Sequence, residues 1–491
     1  MMDKKALVIG SGFAGLSAAI ALASKGFETT IVEKNNSIGG RARQFSESGF
    51  TFDMGPSWYW MPDVFESFFN RFGKSVSDYY ELIRLDPSYQ VVYGKGEEMP
   101  IPANMAELEA LFESIEAGAG LKLREFLKQA AYKYEVGINK LVYKPGRSVT
   151  EFASVKLLAD VLRMDVFQSM AKHVRKFFKH PKLIELMEFP VLFLGALPEN
   201  TPALYSLMNY ADMSLGTWYP KGGMFKIVEA MASLAESLGV SIHTNCEVLA
   251  INTQGGKVTN VQTIKGDFEA DVVIAGADYH HVETKLLKPE DRNYSAKYWD
   301  SRVMAPSSLL YYVGVKGELD GLLHHNLFFD TDFAPHAKAI YTDPKWPEKP
   351  LFYASLTSKT DATVAPAGHE NLFLLIPTAP GLKDTEEIRS KYFDLIVNRM
   401  EDITGNSIKD NIVYQRSFAH SDFVTDYHSF KGNAYGLANT LTQTAILKPA
   451  LKNKRLNNLF YTGQLTVPGP GVPPSLISGL VVAEEVAKEF K

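Results

Sequence analysis

Apolar positions recur along this chain in two distinct rhythms. Ala6-Leu7-Val8-Ile9 is an unbroken apolar run of strand length, and 16–23 (Leu-Ser-Ala-Ala-Ile-Ala-Leu-Ala) has the small apolar residues of a buried helix. The β-branched stretch 28–33 predicts a second strand, ending in a carboxylate. Later, 225–238 places Ile227, Met231, Leu234 and Leu238 on one helical face. Strands are predicted at 239–244, 246–251, 257–264, 271–278 and 459–463, with turns at Asn245 and Gly255-Gly256, and Ser475 opens a last helix toward Glu489. Residues 80–215 read as mostly helical. Residues 290–415 mix strands at 307–315, 351–356 and 371–376 with a helix near 385–404. Strands alternating with helices predict an α/β chain. No window reaches the roughly 20 apolar residues of a spanning helix. The run 189–197 is too short, and Pro190 and Pro198 flank it.

Between the first strand and the first helix lies Gly10-Ser11-Gly12-Phe13-Ala14-Gly15, and Glu33 follows 18 residues after Gly15. Strand, GxGxxG, helix, strand and acid, in that order, form the dinucleotide-binding fingerprint. Gly10 permits the tight turn, Gly12 lets a pyrophosphate approach the backbone, and Gly15 lets helix and strand pack closely. The free N–H groups and positive end of the helix then favour an anion. An acid at the second strand end accepts from ribose hydroxyls and favours FAD or NAD over NADP.

Ile38-Gly39-Gly40-Arg41-Ala42-Arg43 follows, then Phe52-Asp53-Met54-Gly55-Pro56-Ser57. The run from Gly10 to Arg43 resembles the start of the flavin amine oxidase superfamily, and its extension to Ser57 resembles the bacterial-type phytoene desaturases and other carotenoid desaturases. The resemblance implies FAD as cofactor, with Gly40 and Arg41 along its pyrophosphate and Gly55, Pro56 and Ser57 close to the flavin. It extends to Phe13, Ala14 and Lys34 around the nucleotide half, and to Val248 beside the adenine. At the far end, Gly463 and the loop Val467-Pro468-Gly469-Pro470-Gly471-Val472 resemble the segment that closes over the flavin. This loop departs from the commoner HPGAG-like form, which leaves the side chain facing the flavin open.

The same resemblance implies a discontinuous Rossmann-like FAD-binding domain from 1–79, 216–289 and 416–491. A mixed sheet-plus-helix substrate domain, facing a membrane, would then come from 80–215 and 290–415. Its aromatics, among them Tyr132, Tyr134, Tyr143, Phe152 and Phe167, read mostly as core, with some lining a pocket for a long apolar substrate. Lys172, Arg175, Lys176 and Lys179 cluster with Phe177 and Phe178. Such a basic aromatic segment has the chemistry to rest on anionic lipid headgroups, although a solvated basic helix face has the same composition.

The implied activity is desaturation of a hydrophobic carotenoid, phytoene first, by hydride transfer to flavin, with oxygen or a quinone as the electron acceptor. A hydroxycarotenoid 3,4-desaturase is the nearer alternative, a carotenoid saturase a more distant one. An amine or porphyrinogen oxidase, and a flavin-free prenyl-lipid-binding protein of the GDP-dissociation-inhibitor type, represent other classes. A hydrocarbon offers no acidic hydrogen, so no conventional acid–base pair is expected, and the catalytic side chains stay unassigned.

Composition bounds this picture without changing it. Over 491 residues, 51 Lys and Arg face 56 Asp and Glu, a net charge of −5, which disfavours nucleic acid as a partner. Aromatics make up 12% of the chain, a generous supply for sheltering a polyene. Cys246 is the single cysteine, and no histidine pair has a ligating spacing, so neither a disulfide nor a metal site is expected. Met1 to Ile9 does not read as a secretory signal. A cytoplasmic protein peripherally attached to the cell membrane is the expected setting.

Overall fold

The computed structural model describes residues 4–148, 151, 168–192, 195–440 and 442–490. The first apolar run forms strand β1 (Lys5–Ile9), followed by helix α1 (Phe13–Ala23) and strand β2 (Glu28–Val32). β1 is the middle strand of a five-stranded parallel sheet. Val272–Ala275 and then Leu459–Tyr461 lie on one side of it, β2 and then Ser241–His243 on the other. Burial on both faces explains why β1 reads as a continuous apolar run with no alternation.

α1 crosses the C-terminal helix Val472–Glu489 at very short range, because Gly479 lies against it. A methyl at Gly479 would sit 2.4 Å from the Ala14 carbonyl oxygen. That helix begins at Val472 rather than at Ser475. Pro473 and Pro474 occupy its first turn, where a missing N–H and a fixed φ cost nothing. The hairpin Val248–Gln254 and Lys257–Thr263 turns at Gly255 and Gly256, both with positive φ (59° and 76°), as a tight hairpin turn requires. Cys246 lies just before that hairpin rather than in a strand, and is fully buried.

A second, seven-stranded sheet runs in the order Ile412–Phe418, Ser307–Lys316, His369–Thr378, Phe352–Leu356, His325–Phe328, Tyr89–Val92, Glu98–Ile101. The last two strands correct the mostly helical expectation for 80–215. They are short, and Tyr89–Val92 pairs in parallel with His325–Phe328, far away in sequence. Along Ser307–Lys316 the two faces alternate. Leu309, Tyr311, Val313 and Val315 pack toward the helix Glu386–Thr404, where the Tyr311 hydroxyl donates to the Arg389 carbonyl at 2.6 Å. Leu310 and Tyr312 point the other way, and Tyr312 donates to the Met54 carbonyl at 2.7 Å. The second sheet is thereby tied to the Gly55 turn.

The remaining helices of 80–215 include Met105–Ile115, Ala119–Val136, Met170–Phe177 and Pro181–Leu192. Phe178 is fully buried against Phe112 and Phe126, so it is a core residue, contrary to the membrane contact expected of it. Phe177 is half-buried beside Phe126, Arg175 pairs with Glu188, and Lys172, Arg175, Lys176 and Lys179 are exposed. Phe152 and Phe167 lie outside the described residues. Among the described residues, no helix is long and apolar enough to cross a membrane.

Candidate functional site

Among the described residues, one continuous cavity of about 740 Å³ is lined by residues of both sheets. Gly10, Gly12, Phe13 and Ala14 border one end, together with Glu33 and Lys34 from the end of β2. Gly40, Arg41, Gly55, Pro56, Ser57, Gly463, Gly471 and Val472 border it as well, and Val248 lies on the Glu33 side, where the Cys246 N–H donates to the Glu33 carbonyl at 2.8 Å. These segments are distant in sequence, yet they converge on one space. Gly15 stays outside the cavity. A methyl there would lie 2.0 Å from the Gly10 carbonyl oxygen, so its role is the close packing of α1 on the strand turn.

Gly12 is the opposite case, since a methyl there would meet no protein atom within 4 Å. The space in front of it is open cavity, at the N-terminus of an eleven-residue helix that no side chain caps. Gly40 approaches from the other side, its own added methyl 3.2 Å from the Gly12 Cα. The Glu33 carboxylate is buried and already oriented. One oxygen accepts from the Ser11 N–H at 2.9 Å and the Ser11 hydroxyl at 2.7 Å, the other from the Asn35 N–H at 2.8 Å. Carboxylate oxygens have further lone pairs to offer a ligand hydroxyl.

Arg41 lies over the Tyr427 ring, 5.2 Å from its centroid, and donates to the Ser429 hydroxyl and the Asn433 carbonyl. Its Nε is buried with no hydrogen-bond partner. Burial lowers its pKa, against the pull of Asp278. A permanently charged guanidinium with an unused buried donor, beside two facing glycines and an uncapped helix end, suits a phosphate oxygen. The helix at Val472 adds a second uncapped N-terminus at the cavity wall.

Past Ser57 the lining becomes apolar: Trp58, Phe189, Leu310, Leu327, Phe329 and Leu375 are among its members. Several polar groups here escaped the sequence reading. Trp58 stacks on His325 at 4.2 Å and 11° between planes, and His325 Nδ1 lies 2.6 Å from the Tyr353 hydroxyl. His336 borders the cavity as well, and burial lowers its pKa to about 4. Lys448 is buried beside the Gly469 turn with its ammonium unpartnered, and burial brings its pKa down to about 7. The aromatic run Trp58-Tyr59-Trp60, just beyond the Gly55 turn, was the one available sequence signal for this half.

The family described as flavin containing amine oxidoreductase matches residues 13–487. The chain is similar over nearly its full length to a carotenoid 3,4-desaturase of Haloarcula japonica, with 42% identity over 98% of both chains. A zeta-carotene-forming phytoene desaturase of Myxococcus xanthus is 31% identical over 98% of this chain and 94% of its own. A 4,4'-diapophytoene desaturase of Staphylococcus aureus is 30% identical over 99% of each. Among solved structures, an oxidoreductase from Methanosarcina mazei superposes with a TM-score of 0.63 at 16% identity, over 98% of this chain and all of the other. A putrescine oxidase does so with a TM-score of 0.62 at 14% identity, over 99% of each chain, and these two likenesses concern the fold alone. The chain therefore belongs to the flavin containing amine oxidoreductases and, within them, to the carotenoid desaturases.

Proposed function

We propose that this protein is an FAD-dependent desaturase of a long acyclic carotenoid. The observation that carries the reading is the continuity of one cavity, nucleotide-suited at Gly12 and Arg41 and apolar beyond Ser57. The relative at 42% identity favours a 3,4-desaturation over the first steps on phytoene, for which the similarity is lower.

The residues fit the cofactor. Gly10, Gly12, Phe13, Ala14, Gly40 and Arg41 would hold the pyrophosphate, Glu33 and Lys34 the adenosine ribose, and Val248 the adenine. Gly55, Pro56, Ser57, Gly463, Gly471 and Val472 would border the flavin, with Gly15 supporting them through packing. When bound, the flavin supplies the acceptor for a hydride taken from the polyene. The chain supplies the rest: an apolar trough that aligns the hydrocarbon, excludes water from the cation formed on it, and holds the carbon to be oxidised beside Ser57.

We also infer a peripheral attachment to anionic membranes through Lys172, Arg175, Lys176 and Lys179, which are exposed on one segment. Electron removal to oxygen or a quinone completes the cycle. Product analysis tests the substrate choice: FAD-loaded protein is incubated in liposomes with phytoene, and separately with more unsaturated acyclic carotenoids with and without a terminal hydroxyl. Conversion of the later substrates and not of phytoene is the expected result. Conversion of phytoene alone would reverse the order of preference.

A further inference from the structure

A desaturation removes a proton as well as a hydride, and in an apolar cavity that proton needs a receiver. We propose that Tyr353, backed by His325, receives it. The proposal rests on the desaturase reading above.

The two residues stand on neighbouring antiparallel strands, His325–Phe328 and Phe352–Leu356, with Leu327 opposite Tyr353. Tyr353 borders the cavity, as does Ser57 in the turn assigned to the flavin. The Tyr353 hydroxyl lies 2.6 Å from His325 Nδ1, so with the imidazole proton on Nε2 the tyrosine donates to Nδ1. His325 is fully buried and clamped flat on Trp58. Burial, with His324 beside it, holds its pKa well below that of a free imidazole, so the ring is neutral at rest, a weak base that an acid as strong as the polyene cation would protonate. The neighbouring candidate, His336, lacks this capacity. Its Nδ1 accepts from the Leu351 N–H at 2.9 Å and its Nε2 donates to the Pro377 carbonyl at 2.8 Å, so both nitrogens are occupied.

One carbon loses hydride, and the electron pair of that C–H bond reduces the flavin by two electrons. The adjacent carbon of the resulting cation loses a proton, and the electron pair of its C–H bond becomes the new π bond. An O–H bond forms at Tyr353 while the tyrosine's original proton passes to His325 Nδ1. That proton leaves by the same route on reoxidation, in which oxygen or a quinone takes two electrons and two protons in all.

The test uses FAD-loaded wild type, Tyr353→Phe and His325→Phe, the last keeping a ring on Trp58 but no nitrogen. FAD content and thermal melting establish folding. Anaerobic product formation is then timed in liposomes with an acyclic carotenoid deuterated at the proton-losing carbon, and separately at the hydride-losing carbon. The relay predicts formation at least tenfold slower in both variants, with an isotope effect that grows at the proton-losing carbon and shrinks at the other. Wild-type rates in both variants would overturn it. So would slower rates with unchanged isotope effects, which would mark a structural role. If Tyr353→Phe fails to load FAD, the His325→Phe isotope effects decide. No conversion by the wild type would reject the desaturase reading itself, and the relay with it.

Discussion

The Asp53 carboxylate accepts hydrogen bonds from the Met224 N–H at 2.6 Å and from the Phe225 N–H at 3.1 Å. A hairpin end next to the Gly55 turn thus caps a helix from another part of the chain. Gly223 makes this approach possible, because a methyl there would lie 2.7 Å from an Asp53 oxygen, and its φ of +101° disfavours any side chain. Asp53→Ala should lower the stability of the FAD-free protein by about 1–2 kcal/mol, the typical worth of a helix cap. Chemical denaturation with the slope unchanged is the check, and an unaltered midpoint would mean that the cap adds nothing.

Gly12 and Gly15 separate binding from folding. Space is open at Gly12 and closed at Gly15. Gly12→Val should leave the melting temperature of the FAD-free protein within a few degrees and weaken FAD binding at least a hundredfold. Gly15→Val should destabilise the FAD-free protein as well. Titration of FAD by fluorescence quenching, beside thermal melts, distinguishes the two, and equal behaviour would refute the assignment.

Acid should destabilise the fold through buried imidazoles. Burial lowers the pKa of His281 and His324 to about 3 and of His336 to about 4. Each is neutral when folded and takes up a proton when unfolded below pH about 6.5, so unfolding binds protons in that window. The imidazoles' share of the stability is therefore complete above pH 6.5 and falls as pH drops toward 4, at up to about 1.4 kcal/mol per imidazole per pH unit. Melts of the FAD-free protein between pH 7 and 5 test this, and His336→Gln should flatten the slope. A flat profile would contradict it.

Lys448 should be costly in the absence of a ligand. Its buried ammonium has no partner. Its folded pKa of about 7 lies below the ordinary 10.5, so stability rises with pH between those values. Lys448→Met should raise the melting temperature of the FAD-free protein at pH 7, a gain of about 1–3 kcal/mol from removing an unsatisfied polar group. Unchanged melting would show that the amine is solvated.

Membrane attachment gives a fifth prediction. Replacing the exposed Lys172, Lys176 and Lys179 with Glu, and leaving Arg175 in its pair with Glu188, should abolish pelleting with anionic liposomes while melting stays near wild type. Phe178→Ala, in contrast, should unfold the segment, because the ring is core. Unchanged pelleting of the charge-reversed protein would reject this surface.

The nucleotide half was legible because its demands are local. Glycines at Gly10 and Gly12, the acid at Glu33 and the apolar run of β1 each answer to neighbours a few residues away. The pairing of Tyr89–Val92 with His325–Phe328 was not legible, since short strands carry no label for their partner. Nor was the stack of Trp58 on His325, which exists only once the second sheet meets the Gly55 turn. Phe178 was misplaced for a related reason: charge on a helix face identifies exposed lysines and says nothing about where the neighbouring ring points.

The central claim concerns electrons moving from a hydrocarbon to a flavin in this cavity. Its most direct test is anaerobic absorption spectroscopy of the FAD-loaded protein mixed with an acyclic carotenoid in liposomes. The account predicts bleaching of the oxidised flavin band with a matching red shift of the polyene, one new double bond for each flavin reduced. A flavin that stays oxidised beside every acyclic carotenoid offered, in protein shown to hold FAD, would contradict it.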